Sequence, residues 1–216
     1  MIWVTRIFTT SIGKKQLMAL TGLLFLLFLT AHLLGNLSVY GGIKAFDSYA
    51  EHLHALGKLL VVAEVGLAVA LFIHVLLAVI LFFENRKARP IKYAVDKSGG
   101  GGRTLSSRTM PYTGLLILAF VGFHLATFSH HIVDQSHRTI FQIAAGVFAN
   151  KFYLAIYLAA MVIVGLHVRH GLWSAFQTIG ANHPKYMPFI EWVSIIFAIV
   201  VAVGFGSLPL VILALK

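Results

Sequence analysis

The sequence predicts an all-α integral membrane bundle of five transmembrane helices, and three observations carry the prediction. Of 216 residues, 59% are hydrophobic and only 11% are charged, against roughly 25% charged in a soluble domain. Too few polar side chains remain to cover the molecule in water. Five apolar stretches, at 16–39, 59–83, 111–128, 152–173 and 189–215, are long enough for a hydrocarbon core of about 30 Å, which takes roughly 20 helical residues. Lipid offers the backbone no hydrogen bonds, so an open sheet is excluded and the stretches are helices.

The first span follows Lys14 and Lys15 as a signal sequence would. Its apolar run is too long for one, and no small-residue cleavage site follows. Residues 1–15 mix Trp3, Ile7 and Phe8 with Arg6 and Lys14, which reads as a short interfacial segment. The second span runs back, and Pro111 suits the first turn of the third, where its missing N–H costs nothing. The fourth and fifth complete one domain over 1–216, with no internal repeat beyond the alternation of helix and loop. Between the second and third spans, the loop at 84–110 carries Gly99, Gly100, Gly101 and Gly102, a flexible tip. No Lys-Ser/Thr follows these glycines, so they do not form a phosphate-cradling loop.

Twelve of the 17 lysines and arginines fall on the side of the N-terminus and the 84–110 loop. The positive-inside rule then predicts a cytoplasmic N-terminus and an external C-terminus. The net charge of +10 is thereby explained by topology rather than nucleic acid. A second use for Arg86, Lys87, Arg89 and Arg108 is a docking surface for a cytoplasmic partner. The chain has no cysteine, which excludes disulfides, iron–sulfur ligation and C-x-x-C-H haem attachment.

Histidine is the ligand type present in quantity, with eleven copies. His32, His74, His124 and His167 lie one in each of the first four spans, and a polar ionisable group inside a span is a functional candidate. At 1.5 Å per residue, His32 lies roughly 24 Å along the first span and His124 roughly 20 Å along the third, both toward the outer leaflet. The second and fourth spans run the other way and carry His74 and His167 roughly 22 Å along, toward the cytoplasm. The four sort into two layers. Two stacked bis-histidine layers suit two low-spin b haems, because a pair of axial imidazoles leaves no open coordination position.

Around them, Gly22, Gly35, Gly66, Gly114, Gly122 and Gly165 either admit a macrocycle or let helices pack closely. Arg169 and His170 are candidate contacts for haem propionates; headgroup contact is the other use of Arg169. His52, His54, His130, His131, His137 and His183 fall in or beside loops and read as solvated. Glu64, a lone carboxylate near the outer end of the second span, is the candidate proton carrier at a quinone site, since it can exchange protons with water. A water-exposed helix-end glutamate is its plainer reading, and Asp47 and Glu51 are weaker alternatives.

Several runs resemble the single-chain, di-haem cytochrome b membrane subunit of bacterial succinate dehydrogenase and fumarate reductase. They are Ser11-Ile12-Gly13-Lys14-Lys15, Ala31-His32-Leu33-Leu34-Gly35-Asn36-Leu37, Ser107-Arg108-Thr109-Met110, and above all Leu166-His167-Val168-Arg169-His170-Gly171-Leu172-Trp173-Ser174-Ala175-Phe176-Gln177. The resemblance covers nearly the whole chain. It implies two haems b, with His74 and His167 as ligands of the proximal haem and His32 and His124 of the distal one. It further implies flavoprotein and iron–sulfur partner subunits on the cytoplasmic face, a bacterial cytoplasmic membrane location, and a quinone site, usually for menaquinone. The chain would then belong to an enzyme, succinate:quinone oxidoreductase, whose succinate or fumarate site is on a partner. The glycine run is unlike the family pattern, though loops tolerate additions. Two rival classes are a di-haem subunit of a membrane hydrogenase or formate dehydrogenase, and a haem-free transporter that relays protons through histidines.

Overall fold

In the computed structural model, which describes residues 9–88 and 105–216, all five apolar stretches are helical. Helix α1 (Ser11–Asn36) starts where the Thr10 hydroxyl accepts the Gly13 N–H at 3.1 Å, a standard N-cap. A 3₁₀ turn, Leu37–Gly41, and Gly42 at φ 95° swing the chain into the amphipathic α2 (Ile43–His54), whose Phe46 is buried. The reversal needs a positive φ that only glycine adopts freely. Helix α3 (Lys58–Lys87) runs back along α1, and α4 (Leu105–Phe128) follows. The short α5 (Ile140–Ala149) opens with a capping box between Thr139 and Gln142. Helix α6 (Lys151–Thr178) is capped by Asn150, and α7 (Met187–Leu215) starts with a proline in its first turn.

The contacts fix the directions. Lys14 near the start of α1 pairs with Glu84 near the end of α3, so these two are antiparallel. Arg169 on α6 lies 3.9 Å from Glu191 on α7, and a Cβ added to Gly165 would sit 3.0 Å from the Ala202 Cβ and 3.3 Å from the Ala198 carbonyl oxygen. Small residues thus bring α6 and α7 backbone to backbone. In lipid this close packing replaces the hydrophobic drive that water would supply. Gly35 similarly leaves the space that Tyr49 fills. Val164, Val168, Ala198 and Val201 form one core layer. A second gathers at the α1 C-terminal end, where α2 and α5 bring Phe46, Phe141 and Phe148 against Val39, Tyr157 and Leu208. Large apolar side chains such as Leu27, Phe72, Leu115 and Val203 face outward, more than 60% exposed, a surface compatible with lipid rather than water.

Two expectations are corrected. Pro111 is not in the first turn; it lies inside α4, which begins at Leu105. One proline removes a single backbone hydrogen bond, and the polar turn before it continues the helix, with the Thr109 hydroxyl donating to the Ser106 carbonyl at 3.2 Å. Residues 11–15 belong to α1 rather than to a separate interfacial segment, because Lys14 is buried against α3 and paired with Glu84. The interfacial reading of residues 1–8, the basic residues Arg89, Lys92, Lys97 and Arg103, and the glycine run lie outside the described residues.

Candidate functional site

Helices α1, α3, α4 and α6 deliver the four intramembrane histidines, and two layers result. The first layer holds His74 on α3 and His167 on α6. Each rests on a threonine of a neighbouring helix. Thr21 Oγ1 lies 3.0 Å from His74 Nδ1, and Thr113 Oγ1 lies 3.1 Å from His167 Nδ1. Both hydroxyls also donate within their own helix, Thr21 to the Leu17 and Met18 carbonyls at 3.0 Å and Thr113 to the Thr109 and Met110 carbonyls at 3.1 Å. A hydroxyl whose proton stays within its own helix accepts from the imidazole, an arrangement that suits the tautomer with its proton on Nδ1 and the Nε2 lone pair left for a metal. A ligating histidine whose second nitrogen is held by a hydrogen bond is the general pattern at metal sites.

In the second layer, His32 on α1 and His124 on α4 have ring centres 6.0 Å apart with planes at 84°. Aromatic rings surround them, with Phe28 and Phe205 against His32 and Phe120 and Phe128 against His124. The Tyr157 hydroxyl lies a long 3.4 Å from His124 Nδ1 and 2.5 Å from Thr127 Oγ1. Thr127 also donates to the Phe123 and His124 carbonyls, so Thr127 and Tyr157 form a short hydroxyl chain that ends at His124 Nδ1.

Sequence reasoning missed Thr21, Thr113 and Tyr157, yet a signal for the threonines existed. Thr21-Gly22-Leu23-Leu24 precedes His32, and Thr113-Gly114-Leu115-Leu116 precedes His124, with eleven residues from threonine to histidine in both. Leu26 and Leu118, and Phe28 and Phe120, also correspond. The chain therefore does contain an internal repeat, contrary to the expectation of none. Gly22 and Gly114 lie beside the repeated contacts, where an added Cβ would touch His74 Cε1 at 3.5 Å and His167 Cε1 at 3.6 Å. Gly66 and Gly122 face open space, whereas Gly35 and Gly165 serve packing.

On α6, Arg169 lies two residues and His170 three residues, about one turn, beyond His167. Arg169 is within ion-pair distance of Glu191, and the buried His170 Nδ1 has no hydrogen-bond partner among the described residues. Arg86, Lys87 and Arg108 are exposed, at the end of α3 and the start of α4.

At the opposite end of α3, Glu64 is not a lone carboxylate. Its oxygens lie 3.0 Å from His131 Nε2 and 3.7 Å from His130 Nδ1, and the His54 ring is 5.0 Å from that of His130. These histidines are clustered rather than solvated singly. Asp47, by contrast, accepts the Phe141 N–H at 2.9 Å and so caps α5, a structural task. No known protein family, curated protein or solved structure matches this chain.

Proposed function

We propose that this chain is the di-haem cytochrome b subunit that anchors a bacterial succinate dehydrogenase or fumarate reductase and links its iron–sulfur subunit electronically to membrane quinone. The observation that carries the reading is the repeated histidine environment: two layers of paired imidazoles, with three of the four Nδ1 atoms facing a hydroxyl oxygen. Two imidazoles on one metal ion, with bonds of about 2 Å, have ring centres roughly 6 Å apart. The His32–His124 separation of 6.0 Å meets that requirement. Helices α3 and α4 scarcely touch along their length, which favours a flat group lying between them. The orphaned His170 Nδ1 suits a carboxylate partner, such as a propionate.

In this reading His74 and His167 hold the haem nearer the iron–sulfur subunit, and His32 and His124 hold the distal one. A bis-histidine haem supplies one-electron transfer with no open position for oxygen. Thr21 and Thr113 favour the imidazole tautomer that leaves Nε2 free. Arg86, Lys87 and Arg108 belong to the cytoplasmic docking face by the positive-inside argument. Glu64, with half-exposed His131 beside it, holds the proton that quinone chemistry must take up or release, and both can pass it to water. The quinone, by resemblance, is menaquinone.

The test uses the complex purified from its native membrane. It should contain a flavin subunit and oxidise succinate with quinone as acceptor. Glu64→Gln should lower quinone-linked turnover about a hundredfold or more, the lower end of what a general acid–base group contributes, while succinate oxidation by an artificial acceptor is unchanged. Full quinone activity in that variant removes Glu64 from the mechanism. Co-purification with a hydrogenase or formate dehydrogenase subunit instead overturns the assignment of the complex.

A further inference from the structure

We propose that Glu64, His130 and His131 form a binding site for a divalent transition metal ion of the Zn²⁺ class, at the end of the bundle away from the basic loops. Among the described residues, these three side chains bring one ligand atom each within 4.8 Å of the others. A tetrahedral ion with bonds of about 2.1 Å needs its ligand atoms roughly 3.4 Å apart. The Glu64 Oε2–His131 Nε2 and Glu64 Oε1–His130 Nδ1 separations, one through each carboxylate oxygen, are 3.0 and 3.7 Å, on the scale of that value. Two imidazoles and one carboxylate select a borderline ion: Ca²⁺ and Mg²⁺ take oxygen ligands instead. Cu²⁺ should bind the same set more tightly, following the usual affinity order of divalent ions.

Three elements converge here. Glu64 comes from the second turn of α3, His130 and His131 from the turn that follows α4. His54, the last residue of α2, stands next to His130 with ring centres 5.0 Å apart. The His130 and His131 rings are 3.9 Å apart, so consecutive residues present two imidazoles to one point. Side-chain exposures of 30% for His130, 57% for His131 and 36% for Glu64 leave the site open to ions from solution. Because α3 and α4 otherwise scarcely meet, a bound ion would staple α3 to the α4 exit.

Binding itself does not depend on the haem assignment. A loss of quinone-linked turnover when zinc occupies Glu64 would depend on it, so the test reads binding and stability instead. The purified full-length protein, as isolated, is titrated with Zn²⁺ against a chromophoric chelator, and its unfolding temperature is followed with and without the ion. Wild type should take up one zinc per chain at this site and unfold at a higher temperature when loaded, because an ion that binds only the native state stabilises it. Glu64→Gln and His131→Asn should each weaken that zinc about tenfold or more, at least the cost of disturbing a ligand's surroundings, and abolish the stabilisation. His137→Asn, on the same connection but outside the cluster, should bind as wild type does. Absence of zinc binding in wild type, or unchanged affinity in either Glu64→Gln or His131→Asn, overturns the site.

Discussion

The α1–α3 half and the α4–α6 half carry the same chemistry in different surroundings. Each begins with a helix bearing Thr-Gly-Leu-Leu and, further on, a histidine; each continues with an antiparallel helix bearing a second histidine. The threonine of one helix meets the histidine of the other at 3.0 Å in the first half and 3.1 Å in the second. Packing does not follow this symmetry. Helix α6 lies against α1, α4 and α7 and buries Tyr157, Val164, Val168 and Leu172 among others. Helix α3 buries only Ala70, Leu77 and Leu81, and polar contacts hold it at Glu84, His74 and Glu64.

The position ten residues before the paired-layer histidine makes the contrast sharper. It is Tyr157 in α6 and Glu64 in α3. Tyr157 closes its half with a hydroxyl among aromatic rings, while Glu64 opens the other half to water and to His131. Duplicated threonine–histidine contacts with unequal packing mean that the histidine environment, not the surrounding core, is the repeated feature.

Three sets of variants test how far the two halves are equivalent. The largest effect is expected from removing the histidines: His74→Ala or His167→Ala should cost one haem per chain, and His32→Ala or His124→Ala the other. Haem and protein assays on each purified variant check this, and two haems retained in any of them would contradict the ligand assignment. Next come Thr21→Val and Thr113→Val. Both should weaken retention of the His74–His167 haem about 10- to 100-fold, the usual cost of losing a ligand's hydrogen-bond partner. The distal haem should stay bound, and haem transfer to an external acceptor protein measures the difference. Unequal losses from the two threonines would show that the repeat is not equivalent in function. The smallest effect belongs to Tyr157→Phe, since its contact with His124 is a long 3.4 Å. It should cost about 1 kcal/mol or less of distal haem binding, the scale of one neutral hydrogen bond, read in the same transfer assay.

The spans were legible because a bilayer permits little besides a long apolar helix, and composition alone meets that condition. Their ends were not. The positive charge of Lys14 suggested a boundary, yet Glu84, seventy residues away, satisfies it inside the bundle. Pro111 suggested another, but a helix survives one missing N–H. The two histidine layers could be sorted by depth, since rise per residue is constant. The pairing of Thr21 with His74 and Thr113 with His167 depends on helix rotation, which apolar composition all round α3 and α6 does not reveal. The repeat itself is clear only between α1 and α4; α3 and α6 share little around His74 and His167 beyond the following valine. The Glu64 cluster escaped notice because its side chains come from three separate elements and its histidines lie in connections, where sequence periodicity carries no information.

The central claim is that the paired histidines hold haem. Its most direct test is the haem content of the wild-type chain purified from its native membrane, by extraction of the non-covalent pigment and quantitative protein analysis. Two protohaems per chain are expected, reducible to a low-spin bis-histidine spectrum. A chain that is fully folded in its native membrane and carries no haem would contradict it.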